Sequence, residues 1–494
     1  MRVLFVTSEL FPLAKTGGLA DVAAALPAAL QDLGVDVRVI LPAYPCALER
    51  ASGLKEIMRL GDPLGWGETR LLETFMPDSS VPVWLVDCPD LYNRSGGLYQ
   101  DHDGCDWPDN HLRFALLGHV AAGIALEAGG AWRPDIVHAN DWHAGLIPLL
   151  ISQHGPKAPA SVFTVHNLAY QGAFQTWQFE QLGLPPEAMP SLRHYDGLSF
   201  LKAGILSADA ITTVSPTYAR EILTPEHGCG LDGLLRERAT RLSGILNGAD
   251  YRLWDPAADP HLVRNYSPRS LAGKCACRRA IEDEFGLDTP SESPLVAFMS
   301  RLAHQKMPDV VLEALPALLG DGMHVAVLAD GERKFQRQFR QLADAFPGQV
   351  AVRIGYDERC AHRLLAGADI LLHPSRFEPC GLLPVYAMRY GTVPVVRGCG
   401  GLKDTVADPG ISQRDATGFS FGQPTASEMI ACVRRALELY RQPVAWRRMM
   451  AAGMRKDFGW QRPAQAYLDL YTSLARVSAV TKHAEERKAE RRSA

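Results

Sequence analysis

The sequence predicts an α/β protein of two doubly wound domains, each a mostly parallel sheet with helices on both faces. Short, nearly continuous apolar runs recur along the chain, each is followed by helical periodicity, and the series is interrupted once near its middle. At 494 residues the chain also exceeds what one hydrophobic core usually organises.

In the first half the apolar runs are 3–7, 35–41, 81–86, 135–138, 161–165 and 210–214. In the second half they are 295–299, 324–329, 350–354, 369–373 and 393–396, with helical patterns such as 309–319 and 382–390 between them. The break falls between residues 247 and 260, where Gly248, Trp254-Asp255-Pro256 and Asp259-Pro260 punctuate the chain. Domains of 1–246 and 247–476 follow, the last helix packing back on the first domain. Residues 477–494 form a charged tail without apolar anchors, read as a frayed helix or a disordered end. Ligands of doubly wound sheets bind beyond the carboxyl ends of the strands, so two facing domains predict an active site in the cleft between them.

Composition narrows the function. With 47% hydrophobic and 21% charged residues and a net charge of -4, nothing calls for a polyanionic partner such as nucleic acid. Met1-Arg2-Val3-Leu4-Phe5-Val6 is too short an apolar run for a signal peptide, and Thr7-Ser8 interrupts it at once. No stretch reaches the roughly 18 apolar residues of a membrane helix. The ten cysteines are scattered without a C-x-x-C pair, as expected of reduced thiols in a cytoplasmic protein.

Polar motifs sit where strands end. Lys15-Thr16-Gly17-Gly18-Leu19-Ala20-Asp21-Val22 follows the first strand and leads into a helix. Glycines at such a turn admit a ligand to the backbone, the helix N-terminus favours anions, and Lys15 adds a point charge; a plain tight turn is the alternative. His138-Ala139-Asn140-Asp141-Trp142-His143 and Thr164-Val165-His166-Asn167 close two further strands. By residue type alone these read as a polar site, a metal site, or helix caps and core histidines. Asp101-His102-Asp103 imitates a metal-binding D-x-D but lies in a Gly-rich acidic loop. In the second half, Arg301 and Lys306 stand five residues apart after a strand, a spacing suited to clamping a diphosphate or to surface charge. In His373-Pro374-Ser375-Arg376-Phe377-Glu378-Pro379-Cys380-Gly381-Leu382, Glu378 leads into a helix N-terminus. An anion there, with Glu378 on sugar hydroxyls, is one reading; a capping glutamate is the other. The dinucleotide glycine fingerprint and the Walker loop are both absent.

Together these strings resemble the bacterial glycogen synthase and plant starch synthase family, from Met1 to about Leu474. Val165-His166-Asn167-Leu168-Ala169-Tyr170-Gln171-Gly172, Ile245-Leu246-Asn247-Gly248 and Ala387-Met388-Arg389-Tyr390-Gly391-Thr392 complete the match in the family's order. The resemblance implies the GT-B glycosyltransferase fold, no metal and no cofactor, and cytoplasmic transfer of glucose with retention. The donor would be ADP-glucose, less favourably UDP-glucose, and the acceptor glycogen or a maltodextrin. By the same likeness Lys15, Gly17, Gly18, Arg301 and Lys306 would hold the donor diphosphate, helped by the amides of Leu382 and Leu383. His166 would bind the glucose 6-hydroxyl, and its carbonyl would face the anomeric carbon. Glu378 would bind the 3- and 4-hydroxyls beside Cys380 and Gly381. Asp141 would lie by the reacting centre, Asn247 on the donor sugar, Tyr356 by the adenine and Tyr99 on the acceptor side.

The chain departs from the family at three places. Leu383-Pro384 stands where Thr, Asn or Ile and then Gln are usual, Ala329-Asp330-Gly331-Glu332 replaces a Gly-rich turn, and Lys403 replaces a common alanine. Proline is tolerated in a first helical turn, so activity is expected to survive.

Overall fold

The computed structural model describes residues 1–77, 79–127, 132–155, 158–288, 290, 292–355, 357–411 and 415–493, with side chains described as far as Val477. The chain forms two compact units, Met1–Gly248 with Trp460–Ala494, and Ala249–Gly459.

The strands of the first unit are β1 (Arg2–Val6), β2 (Asp36–Pro42), β3 (Lys55–Gly61), β4 (Thr69–Phe75), β5 (Pro82–Asp87), β6 (Ile136–Asn140), β7 (Ala160–Val165), β8 (Ala173–Gln175), β9 (Arg193–His194), β10 (Gly197–Ser199), β11 (Ala210–Thr213) and β12 (Leu242–Gly244). Nine of them form one sheet in the order β12-β11-β7-β6-β1-β2-β5-β4-β3. All its pairings are parallel except β3 with β4 and β4 with β5. β6 and β7 are buried along their whole length, which is why they read as largely apolar runs although His138, Asn140, Ser161 and Thr164 lie within them. The β3–β4 hairpin escaped that pattern because it lies at the sheet edge, alternates in burial and carries ion pairs such as Arg59–Glu56 (2.7 Å). β8, β10 and β9 form a separate small antiparallel sheet.

In the second unit β13 (Leu295–Leu302), β14 (His324–Gly331), β15 (Val350–Ile354), β16 (Ile370–His373), β17 (Val393–Arg397) and β18 (Phe419–Phe421) form one parallel sheet, ordered β15-β14-β13-β16-β17-β18. Helices Pro308–Gly320 and Leu382–Arg389 follow β13 and β16, close to the periodic stretches expected there. Among the described residues no helix is long and apolar enough to cross a membrane.

The last helix, Gln461–Ser493, belongs with the first unit, and the charged tail is its distal part. Its buried face carries Ala464, Tyr467 and Tyr471 into the first core. Trp460 closes over Gly248, where an added Cβ would come within 2.7 Å of the indole ring. Within that core His138 is held at both ring nitrogens, Nδ1 by the Tyr471 hydroxyl (2.7 Å) and Nε2 by Thr164 Oγ1 (2.6 Å). Burial draws its pKa down to about 3, helped by nearby His166, so the ring is neutral. His138 is thus a core histidine. Tyr471→Phe leaves Nδ1 buried without a partner and is expected to cost about 1–3 kcal/mol in urea unfolding.

Candidate active site

In both units the polar motifs lie at the carboxyl ends of adjacent parallel strands. Register does this directly: Val6 pairs with Ala139, and Asn140 with Thr164, so the segments after β1, β6 and β7 emerge side by side. Lys15, Gly17, Gly18, Tyr99, Asp141 and His166 belong to this first group. Asn247 follows β12 at the same end of the sheet, buried, its Oδ1 without a hydrogen-bond partner among the described residues.

The turn after β1 is extended at Gly17 (φ -149°, ψ -163°) and opens the helix Gly18–Asp32. A Cβ on Gly17 or Gly18 would meet nothing within 4 Å, so the space beside this backbone is open. Lys15 Nζ donates to Asp21 Oδ1 at 2.9 Å, which ties the ammonium to the first helical turn. Glu9, which composition and spacing did not single out, is buried beneath this turn. Thr16 and Gly17 donate their amides to its Oε2, and Tyr99 donates its hydroxyl to Oε1. An acidic residue at the polar end of a buried strand was the one signal that could have found it.

Asp141 has φ 60° and ψ -179°, a region that is essentially glycine-only. Its Oδ1 is buried and has no hydrogen-bond partner among the described residues. Burial, reinforced by Glu9, pushes its carboxyl up to about 8 against the pull of the Trp142 and Asn167 amides. His166 Nε2 lies 3.0 Å from Asn140 Oδ1, and burial lowers its pKa to about 3. A neutral imidazole therefore donates to Asn140, whose amide is fixed by the Val6 carbonyl (3.0 Å). His143 stacks on Trp142 at 3.9 Å and near Tyr99 at 4.4 Å, and neither of its ring nitrogens has a hydrogen-bond partner among the described residues.

The second group belongs to the other unit: Arg301, Lys306, Glu378, Cys380, Gly381, Leu382 and Leu383. Phe298 pairs with Leu372, which sets the segments after β13 and β16 side by side. They are then stitched together. Arg376 donates its amide to Gln305 O (2.8 Å) and its guanidinium to His304 O (2.6 Å) and Asp309, while Gln305 Nε2 reaches Phe377 O (3.0 Å). The result is a buried ion pair between Lys306 Nζ and Glu378 Oε2, with the Ser375 hydroxyl on the same oxygen at 2.8 Å. His373 Nε2 stands 3.5 Å away, an electrostatic neighbour. Burial alone would raise the Glu378 carboxyl, but Lys306 and His373 outweigh it and hold it well below its ordinary value. Arg301 is exposed at the end of β13, in register with Asp330.

Gly381 (φ 80°, ψ 65°) caps the helix Leu382–Arg389. A Cβ there would lie 2.5 Å from Leu402 Cδ2 and 3.2 Å from Glu378 Cγ. Gly381→Ala therefore combines left-handed strain of about 1–2 kcal/mol with a clash against Leu402 and Glu378. It is expected to lower the melting temperature by several degrees and to raise donor KM about tenfold. Pro384 is the third residue of this helix, where its missing N–H is one the helix leaves unpaired in any case. The departure at residues 329–332 is also accommodated, because Asp330 Oδ1 accepts from the Gly331 amide (2.8 Å) and Gln336 Nε2 (3.2 Å).

Tyr356 lies outside the described residues. Asp101 turns inward, its Oδ1 accepting from the amides of Asp103 (2.9 Å) and Cys105 (3.0 Å), which is the work of a loop cap. Among the described residues no group of three His, Cys, Asp or Glu is arranged to hold a metal ion.

Fold and site define a glycosyltransferase of the GT-B class. Residues 2–237 match the family of the starch synthase catalytic domain, and residues 280–451 match the glycosyl transferases group 1 family. A glycogen synthase from Paramagnetospirillum magneticum is 52% identical over 482 residues, covering 96% of this chain and 98% of the relative. One from Thioalkalivibrio sulfidiphilus is 51% identical over 486 residues, covering 96% and 100%. The catalytic domain of starch synthase IV from Arabidopsis thaliana, solved bound to ADP and acarbose, superposes with a TM-score of 0.86 at 30% identity, covering 96% of this chain and 99% of that one. Sucrose-phosphate synthase from Thermosynechococcus elongatus shares the fold, with a TM-score of 0.60 at 16% identity over 96% of this chain and 98% of that one. The chain belongs to the glycogen synthase and starch synthase family.

Proposed function

We propose that this chain transfers glucose from ADP-glucose to the non-reducing 4-hydroxyl of an α-1,4-glucan, with retention of the anomeric configuration and release of ADP. The observation that carries the proposal is the buried Lys306–Glu378 pair beside the N-terminus of the helix that Gly381 opens. Arg301, Lys306 and the amides of Leu382 and Leu383 hold the diphosphate, whose negative charge grows as the glycosidic bond breaks. Preorganised cations therefore stabilise the transition state more than the ground state. Lys15, Gly17 and Gly18 serve the same donor, and Asn247, Cys380 and Tyr356 complete its contacts. Glu378, kept ionised, accepts from the glucose 3- and 4-hydroxyls, and Tyr99 serves the acceptor.

His166 is neutral, so it holds the 6-hydroxyl without adding positive charge beside an oxocarbenium-like sugar, and its carbonyl dipole offsets that charge. Asp141 stays protonated near neutral pH, which makes it a poor nucleophile and favours attack by the acceptor on the face the diphosphate leaves. The solved starch synthase relative was bound to ADP, and this favours ADP-glucose over UDP-glucose.

The test is incorporation of radiolabelled glucose into glycogen, with ADP-glucose and UDP-glucose run in parallel and EDTA present. Incorporation from ADP-glucose, released by an α-1,4-specific glucosidase, is expected. Incorporation from UDP-glucose alone would overturn the donor, and loss of activity in EDTA would overturn the metal-free chemistry. Glycogen binding without transfer from either donor would leave a glucan-binding homologue.

A further inference from the structure

The end of β1 carries a residue for which the reaction as described has no role. Glu9 is 4% exposed and takes three hydrogen bonds from two separate segments. Its Oε2 accepts from the amides of Thr16 (2.7 Å) and Gly17 (2.9 Å), and its Oε1 from the Tyr99 hydroxyl (2.9 Å). Tyr99 has one hydroxyl proton. Because it goes to Glu9, Ser8, 2.7 Å from the same oxygen, must donate to Tyr99.

Among the described residues neither the Thr16 nor the Gly17 amide reaches a backbone carbonyl. The Tyr99 backbone is fixed from another side, its carbonyl accepting from Trp107 N (3.0 Å) and Asn110 Nδ2 (2.9 Å), with Arg113 on the Leu98 carbonyl (2.9 Å). The Tyr99 ring packs near His143 (4.4 Å), Phe114 (5.9 Å) and Trp142 (6.4 Å), and its hydroxyl is hydrogen-bonded to Glu9 and Ser8.

We propose that Glu9 is a positioning residue, one buried carboxyl group that sets the Lys15–Gly18 turn and the Tyr99 hydroxyl against each other. This rests on the reading of the turn as donor-binding and Tyr99 as acceptor-binding. Donor and acceptor contacts of the first unit then share a single support. Disturbing either segment is felt by both substrates.

Full-length variants distinguish geometry from charge. Glutamine accepts both amides on Oε1 and donates from Nε2 to Tyr99, which then donates to Ser8; alanine supplies none of these bonds. Steady-state kinetics with ADP-glucose and glycogen varied separately should show Glu9→Ala raising both KM values about tenfold, with Glu9→Gln within about threefold of wild type. Tyr99→Phe should raise KM for ADP-glucose about threefold as well as that for glycogen, acting through Glu9. A Glu9→Gln variant as impaired as Glu9→Ala overturns the proposal, since the charge would then matter and the geometry would not. So does a change confined to one substrate. Should Glu9→Ala fail to fold, the Glu9→Gln and Tyr99→Phe arms decide by the same criteria. Wild-type protein that incorporates no glucose refutes the proposed function; active wild type with unaltered variants refutes only the role of Glu9.

Discussion

Glu378→Gln is expected to lower kcat by about 10²- to 10³-fold while the protein still folds. Glutamine keeps the shape and the contact with Ser375 but removes the charge that Lys306 compensates. A sugar hydroxyl that donates to a carboxylate loses a charge-assisted bond, and Lys306 loses the partner that orients it. The reciprocal change differs in kind. Lys306→Ala strands a carboxylate whose side chain is only 9% exposed, so it should destabilise the fold by about 3–5 kcal/mol as well as abolish most turnover.

The pH dependence of stability separates Glu378→Gln from wild type. The folded-state pKa of Glu378 is depressed, so the native state binds fewer protons than the unfolded chain over the acidic range. Its contribution to stability is complete above the unfolded value of about 4.3 and is lost as pH falls toward the folded value. Urea unfolding at pH 7 and pH 3.5 should therefore show a smaller acid loss for Glu378→Gln than for wild type. An unchanged kcat in either variant would overturn the assignment of this pair to the reaction.

Asp141→Gly is expected to raise stability and remove activity. Asp141 occupies backbone space that glycine enters freely, and strain of this kind costs about 1–3 kcal/mol. Its buried Oδ1, without a hydrogen-bond partner among the described residues, adds to that cost. Glycine relieves both and should increase the melting temperature by several degrees, while loss of the carboxyl lowers kcat about 10²-fold or more. The folded pKa of about 8 lies above the unfolded value, so the native state binds the extra proton. The contribution of Asp141 is fully present below about pH 4 and is lost as pH rises through 8. The advantage of Asp141→Gly should accordingly be larger at pH 8.5 than at pH 5. An advantage of equal size at both pH values would refute the buried protonated state, and a destabilised variant would refute the strain.

Much of this architecture is local information. β1, β6, β7, β13 and β16 are buried along most of their length, so each is a largely apolar run that a sequence displays whatever its partners. Their polar ends follow from the same cause, because a strand that leaves the core must change composition there. Lys15, Asp141, His166, Lys306 and Glu378 were visible as candidates for that reason. The β3–β4 hairpin was not, since a half-exposed edge carries alternating charged residues that look like loop.

What the sequence by itself determined is the alternation of buried strands and covering helices, the polar motifs at the strand ends, and hence the family. Only the tertiary structure decided which of those polar residues act on one another. His138 and His166 look alike in sequence, yet Tyr471, 333 positions away, makes the first a core residue. Lys306 and Glu378, separated by 72 positions, become one buried pair because β13 and β16 are neighbours in the sheet. Glu9 gains its partners at Thr16, Gly17 and Tyr99 in the same way. Hydrogen bonds and ion pairs act over a few ångströms in space, and only the packing of the sheets brings positions so far apart in the chain within that range.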